Sequence, residues 1–188
     1  MIIDKDERWT FGHALNVEDP TVGTFIRTTQ YSKISLWVND SNWVLASIPT
    51  PNVTKGWKIS SVMLRYTIRG LGWNDIGDLL DLPPELPPGA TGPGVIDKIV
   101  IRDGDETVHE FEGLHLTKIK DWETLTLALP QSKQFKFGLG VSIHVFYEGP
   151  VGGDDVPAEI LFASVGLGFV KETSVDLPAR PGTPPSSP

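Results

Sequence analysis

Six tryptophans stand in a chain of 188 residues, and two of them flank a run of short polar side chains. Trp37 and Trp43 bracket Asn39-Asp-Ser-Asn42, a turn by composition, while Trp73 opens a stretch rich in Gly and Pro. An indole beside amide and carboxylate groups is the chemistry of a sugar platform. The apolar face of a sugar ring stacks on the indole and its hydroxyls bond to the polar neighbours. Trp43, Trp73, Asn39 and Asn42 are therefore the candidate ligand-binding residues. Trp9, Trp57 and Trp122 read as core filler, and the alternation around Trp37 turns it inward.

Two acidic loops are the next source of chemistry. Asp103-Gly-Asp-Glu106 lies between two expected strands and has the Asp and Gly that tight turns demand. Glu148-Gly-Pro-Val-Gly-Gly-Asp-Asp155 is the second. If the loops were neighbours, Asp103, Asp105, Glu106, Asp154 and Asp155 would offer oxygen ligands to calcium, although neither loop has EF-hand spacing. Turn chemistry is the preferred reading, and no cofactor is expected. The four histidines, His13, His109, His115 and His144, form no HxH or HExxH pair, and a chain without Cys offers no thiolate ligand. His109 and His115 share one stretch with Glu110 and Glu112 between them, as ordinary strand-surface residues also would. His144 shares a strand face with Ser142 and Glu148, but extended spacing puts these about 7 and 13 Å away, too far for a ready-made triad. No catalytic residue is assigned.

These residues must be carried by strands. The chain has 45 Val, Ile and Thr against seven Ala, a balance that favours pleated over helical backbone. Period-two alternation is clear in Ile59–Arg69, Leu139–Glu148 and Ile160–Phe169. In the last of these, Leu161, Ala163, Val165, Leu167 and Phe169 share a face. Weaker runs occur at Arg8–Leu15, Gly23–Gln30, Ile34–Val38, Trp43–Ile48, Val95–Arg102, Thr107–Phe111 and Thr124–Leu129. About ten strands separated by Gly, Pro and Asn predict an all-β fold, an antiparallel β-sandwich of the jelly-roll type.

Two segments stand outside this pattern and hold ten of the 16 prolines. The inserted loop 70–94 admits one short helix over Asn74–Leu82, with Asn74 as its cap and Pro83 as its stop. The tail 174–188 has too little apolar surface to offset its ordering entropy and reads as a docking element in an assembly. Residues 1–173 form the single expected domain. A net charge of −8 argues against nucleic acid or an anionic membrane surface as partner. No run approaches the roughly 18 apolar residues of a membrane helix, and MIIDKDERW contains no apolar signal core. A cytoplasmic location is the expectation, with export by another route left open.

A series of short motifs then takes on a familiar order. It runs from Trp9-Thr-Phe-Gly12 through Ser41-Asn-Trp43, Ile48-Pro-Thr-Pro51, Asp103-Gly104 and Phe111-Glu-Gly-Leu114. Phe137-Gly-Leu-Gly-Val-Ser142, Ile160-Leu-Phe162 and Gly166–Phe169 complete it. Over Trp9–Phe169 the chain resembles a family of small, mainly bacterial all-β domains of unknown function. The resemblance implies a compact β-sandwich and carries no activity, cofactor or catalytic residue with it. The loop 70–94 and the tail depart from that pattern. The ranked expectation is a non-catalytic structural or protein-interaction β-sandwich, self-assembling as a homo-oligomer or docking a protein partner. A carbohydrate- or small-ligand-binding module using surface Trp is the alternative, and an enzyme ranks third.

Overall fold

The computed structural model describes residues 2–37, 39–52, 56–69, 94–117, 122–147 and 158–173. The expectations for 70–93, including the Asn74–Leu82 helix, and for the tail 174–188 lie outside the described residues. Eleven strands follow in chain order: β1 Ile2–Phe11, β2 Asn16–Val17, β3 Thr24–Arg27, β4 Ser32–Leu36, β5 Ser41–Ile48 and β6 Lys58–Arg69 come first. They are followed by β7 Val95–Asp103, β8 Glu106–Phe111, β9 Glu123–Lys133, β10 Leu139–Phe146 and β11 Ala158–Thr173. No helix among the described residues is long and apolar enough to cross a membrane.

The strands form two antiparallel sheets. One has the order β3-β4-β11-β6-β9, with β1 also paired to β11; the other has the order β2-β5-β10-β7-β8. From β4 onward the chain crosses between sheets at every step except the β7–β8 hairpin, placing 4-11-6-9 against 5-10-7-8. This wrapping is the two-Greek-key jelly roll, as expected from the alternation. The core lies between the sheets. Ile34, Leu64, Tyr66, Phe162 and Leu167 line it from one side, and Val44, Ile99, Ile101, Val141 and Ile143 from the other.

β11 is the strand around which the first sheet is organised, and the expected face assignment fails there. The β6–β11 ladder shifts between Phe162 and Ser164, leaving Ala163 as the extra residue of a bulge. Ile160 and Phe162 therefore face the core along with Val165, Leu167 and Phe169, while Leu161 is buried outside that cluster. A bulge consumes one residue of the period, so the straight alternation through Leu161 and Ala163 is corrected. The opposite edge of β11 is shared end to end, by β4 along Ala158–Phe162 and by β1 along Ser164–Thr173. Gly12 sits at this changeover, where a Cβ would run into the Phe162 carbonyl oxygen and the Ser32 backbone. The Ser32 hydroxyl donates to the Gly12 carbonyl.

Candidate functional site

The outer face of the five-stranded sheet is built by three strands whose inward residues are apolar. Val44 and Ala46 of β5, Val141 and Ile143 of β10, and Ile99 and Ile101 of β7 are buried in the core. Their alternates must then point outward. Register sets these alternates in rows across the sheet: Ser47–Gly140–Arg102, Leu45–Ser142–Val100, and Trp43–His144–Lys98. Ser47, Gly140 and Arg102 of the first row, Leu45 and Ser142 of the second, and Trp43, with Glu18 from the segment after β2, line a depression of about 440 Å³. Gly140 has no side chain to fill its floor, and the nearest atom to a Cβ there would be the Ala46 carbonyl oxygen at 3.5 Å.

The third row extends the depression into an aromatic strip. The rings of Trp43 and His144 have centroids 4.9 Å apart, and Phe146 continues the strip at 6.4 Å from His144. His144 is held from the next strand. Its Nδ1 lies 2.7 Å from Asp97 Oδ1, and because a carboxylate can only accept, Nδ1–H is the donor and Nε2 is left for another partner. Asp97 reaches His144 because of a second bulge. Register runs from His144↔Lys98 to Val145↔Ile96, so Asp97 has no partner of its own on β10. Lys98 completes the row with ion pairs of 2.8 Å to both Glu110 and Glu112. The Glu110 bond, followed by that to Glu112, raises the lysine pKa, and Lys98 in turn lowers that of Glu112.

The expected site residues have diverse fates. Trp43 lines the depression and is half-buried. Asn39 is exposed in the β4–β5 turn with a φ of 67° and does not line the depression. Asn42 is buried, 4% exposed, and its amide is committed to the chain itself. Its Nδ2 donates to the carbonyls of Asp19 at 2.7 Å and Val22 at 3.2 Å, and its Oδ1 accepts from the backbone N–H of Asp19 and Trp43. Asn42 thus holds the loop that follows Glu18 rather than facing a ligand. Trp73 lies outside the described residues.

Asp103 is likewise structural. It is 5% exposed, and its two oxygens accept from the backbone N–H groups of Lys136 and Phe137, both at 2.6 Å. Asp105 and Glu106 follow in the β7–β8 turn, where Gly104 takes a φ of 64°. Among the described residues no three His, Asp or Glu side chains converge as a metal cluster. Asp154 and Asp155 lie outside them. Trp37 and Trp122 are corrected outright, being 46% and 41% exposed rather than inward. Trp37 begins the turn into β5, with its carbonyl accepting from Asp40 N–H, and Trp122 sits just before β9 against Tyr31. Strand alternation does not extend to positions that leave the ladder. Trp57 packs on the core as expected, and Trp9 is half-buried over Gly166, whose absent Cβ would lie 2.8 Å from the indole.

Glu18, Ser47 and Arg102 are polar residues of the depression that sequence reasoning missed, and Ser142, weighed there only as a partner of His144, joins them. Among the described residues neither Glu18 nor Arg102 has a side-chain partner, which leaves a carboxylate and a guanidinium available at one hollow. Glu18 and Arg102 stand 84 positions apart in the chain, and the β2–β5 pairing together with the β5–β10–β7 register brings them to one hollow.

No family model matches the chain, and no curated protein does. Several solved structures are similar in fold. A cyclase from Fischerella sp. TAU, in complex with 4-(1H-indol-3-yl)butan-2-one, shares 14% identity at a TM-score of 0.46, over 88% of this chain and 91% of its own. CBM29_1, a family 29 carbohydrate-binding module from Piromyces equi, shares 9% identity at 0.45, over 89% and 91%. The family 11 carbohydrate-binding module from Clostridium thermocellum shares 8% at 0.35, over 87% of each chain. At these identities and TM-scores the likeness adds nothing about ligand or activity.

Proposed function

We propose that the protein is a non-catalytic binding β-sandwich that takes a carbohydrate on the outer face of its five-stranded sheet. The observation that carries this reading is the depression itself, where the Trp43 ring stands beside the unpaired Glu18 and Arg102 and the Ser142 hydroxyl. Such a set matches a polyhydroxylated ring. The indole takes its apolar C–H face, the carboxylate accepts from hydroxyls, and the planar guanidinium donates to them. The Trp43–His144–Phe146 strip supplies further stacking surface beyond the hollow.

The experiment is a panel of immobilised glycans probed with the wild-type chain and with Trp43→Ala, followed by calorimetry on any ligand retained. Binding by the wild type that falls at least tenfold in Trp43→Ala, with an unchanged melting temperature, is the expected result. A wild type that retains no glycan in the panel, or a Trp43→Ala variant that binds as tightly, defeats this reading.

A further inference from the structure

The two sheets expose five strands along their free edges, and four of these are blunted against pairing. β2 has two residues and β3 has four. β1 is long but carries the consecutive charges Asp4-Lys-Asp-Glu-Arg8. β8 carries Glu106 and Glu110 beside a ladder irregularity at Ile101/Arg102. Short length, charge and bulges are the devices by which proteins keep edges from recruiting another strand. β9 carries such features only at its ends, Glu123 at one and Pro130, Lys133 and a ladder shift past Ala128 at the other. Thr124–Leu129 between them is uncharged. The strand ends the order β3-β4-β11-β6-β9, and its ladder with β6 runs unbroken from Glu123 to Ala128. Among the described residues no strand lies beyond it. Its outward side chains Thr124, Thr126 and Ala128 are small, uncharged and exposed, while Leu125 and Leu127 pack on the core.

We propose that two copies of this chain pair antiparallel through the free edge of β9, about a two-fold axis at Thr126, joining their larger sheets into one. The occupant follows from the strand's own symmetry. The open stretch runs from Glu123 to the residue before Pro130, which has no N–H to give, and Thr126 is its midpoint. In that register Thr124 faces Ala128 of the second copy and Leu125 faces Leu127. Glu123 faces Leu129, so no like charges meet. Beyond the ladder, the exposed Trp122 comes opposite Pro130 of the second copy on the same face, an apolar contact at each end of the joint. A two-fold interface must be self-complementary in this way.

The chain has no cysteine, so a single one reports the contact directly. Residues opposite each other in an antiparallel pair have Cα atoms roughly 4.5–5.5 Å apart, inside the approximately 4.4–6.8 Å range of disulfides. The full-length wild type should sediment as a dimer. Thr126→Cys should cross-link quantitatively under mild oxidation, while Thr107→Cys on the β8 edge should stay monomeric on a non-reducing gel. Thr126→Lys, or Thr124→Lys if the first fails to fold, should sediment as a monomer that still unfolds cooperatively, with a melting temperature independent of protein concentration. A monomeric wild type, a dimer that persists in the folded Lys variant, or Thr107→Cys cross-linking as fast as Thr126→Cys overturns the proposal.

Discussion

The side-chain amide of Asn42 clamps the backbone of Asp19, donating to its carbonyl at 2.7 Å and accepting from its N–H at 3.2 Å. Glu18, one residue earlier, is tied to β5 by its own N–H, which donates to the Trp43 carbonyl at 2.9 Å. Asp19 secures the other side of the loop, with one carboxylate oxygen accepting from both the N–H and the hydroxyl of Thr21. These bonds lower the Asp19 pKa, the Thr21 hydroxyl contributing most. A buried amide thus fixes an exposed carboxylate at the rim of the depression.

Asn42→Ala leaves two carbonyls and two N–H groups without this partner. The cost should be about 2 kcal/mol, since loss of one side of a buried hydrogen-bonded set leaves the other side unsatisfied. For a domain of this size that is a fall in melting temperature of about 4–8 °C. Affinity for any glycan the wild type retains should fall as well, because Glu18 loses its fixed position. Differential scanning calorimetry with ligand titration separates the two effects. Wild-type stability in Asn42→Ala would remove the clamp.

Much of the fold is legible from period-two alternation because burial of one sheet face imposes it residue by residue. β6 and β10 follow it almost to their ends. It fails where the ladder itself breaks. Ala163 and Asp97 are bulge residues, and nothing local in Phe162-Ala-Ser164 or Ile96-Asp-Lys98 announces an extra residue against a strand far away in sequence. The site is less legible for the same reason. Trp43 stands out by residue type alone, but Glu18 and Arg102 are ordinary exposed residues and Ser142 an ordinary strand serine until strand pairing gathers them. By type Asn42 is a ligand group, whereas its inward alternation with Val44 and Ala46 places it under the loop.

Asp103→Asn tests the structural reading of the first acidic turn. Both carboxylate oxygens accept backbone N–H donors at 2.6 Å, and the asparagine would present an NH₂ group to one of them. Hydrogen bonds to a charged acceptor contribute about 1.5–3 kcal/mol each, so a loss of about 2 kcal/mol is expected. Urea unfolding of the metal-free protein should show a lower midpoint with an unchanged slope. A midpoint unchanged without calcium but lowered in its presence would instead make Asp103 a metal ligand.

Alkaline pH tests Tyr66, an ionisable group set in the core beside a carboxylate. Tyr66 is 1% exposed, and its hydroxyl donates to Glu123 Oε2 at 3.1 Å. Burial first, and then the Glu123 bond and charge, push its pKa well above the ordinary tyrosine value. Burial also raises Tyr147. Below about pH 10 both groups are protonated in the folded and unfolded chains alike and add no pH dependence. Above it the unfolded chain releases these protons while the folded chain retains them, so stability falls as pH rises. Each such tyrosine adds a slope approaching about 1.4 kcal/mol per pH unit between its unfolded and folded pKa. Tyr66→Phe keeps the ring in the core and removes the ionisation. Its unfolding free energy should therefore decline less steeply than that of the wild type between pH 10 and 11, the remaining slope including that of Tyr147. Parallel urea titrations across that interval measure the difference, and equal slopes for the two proteins would show that Tyr66 ionises freely in the folded chain.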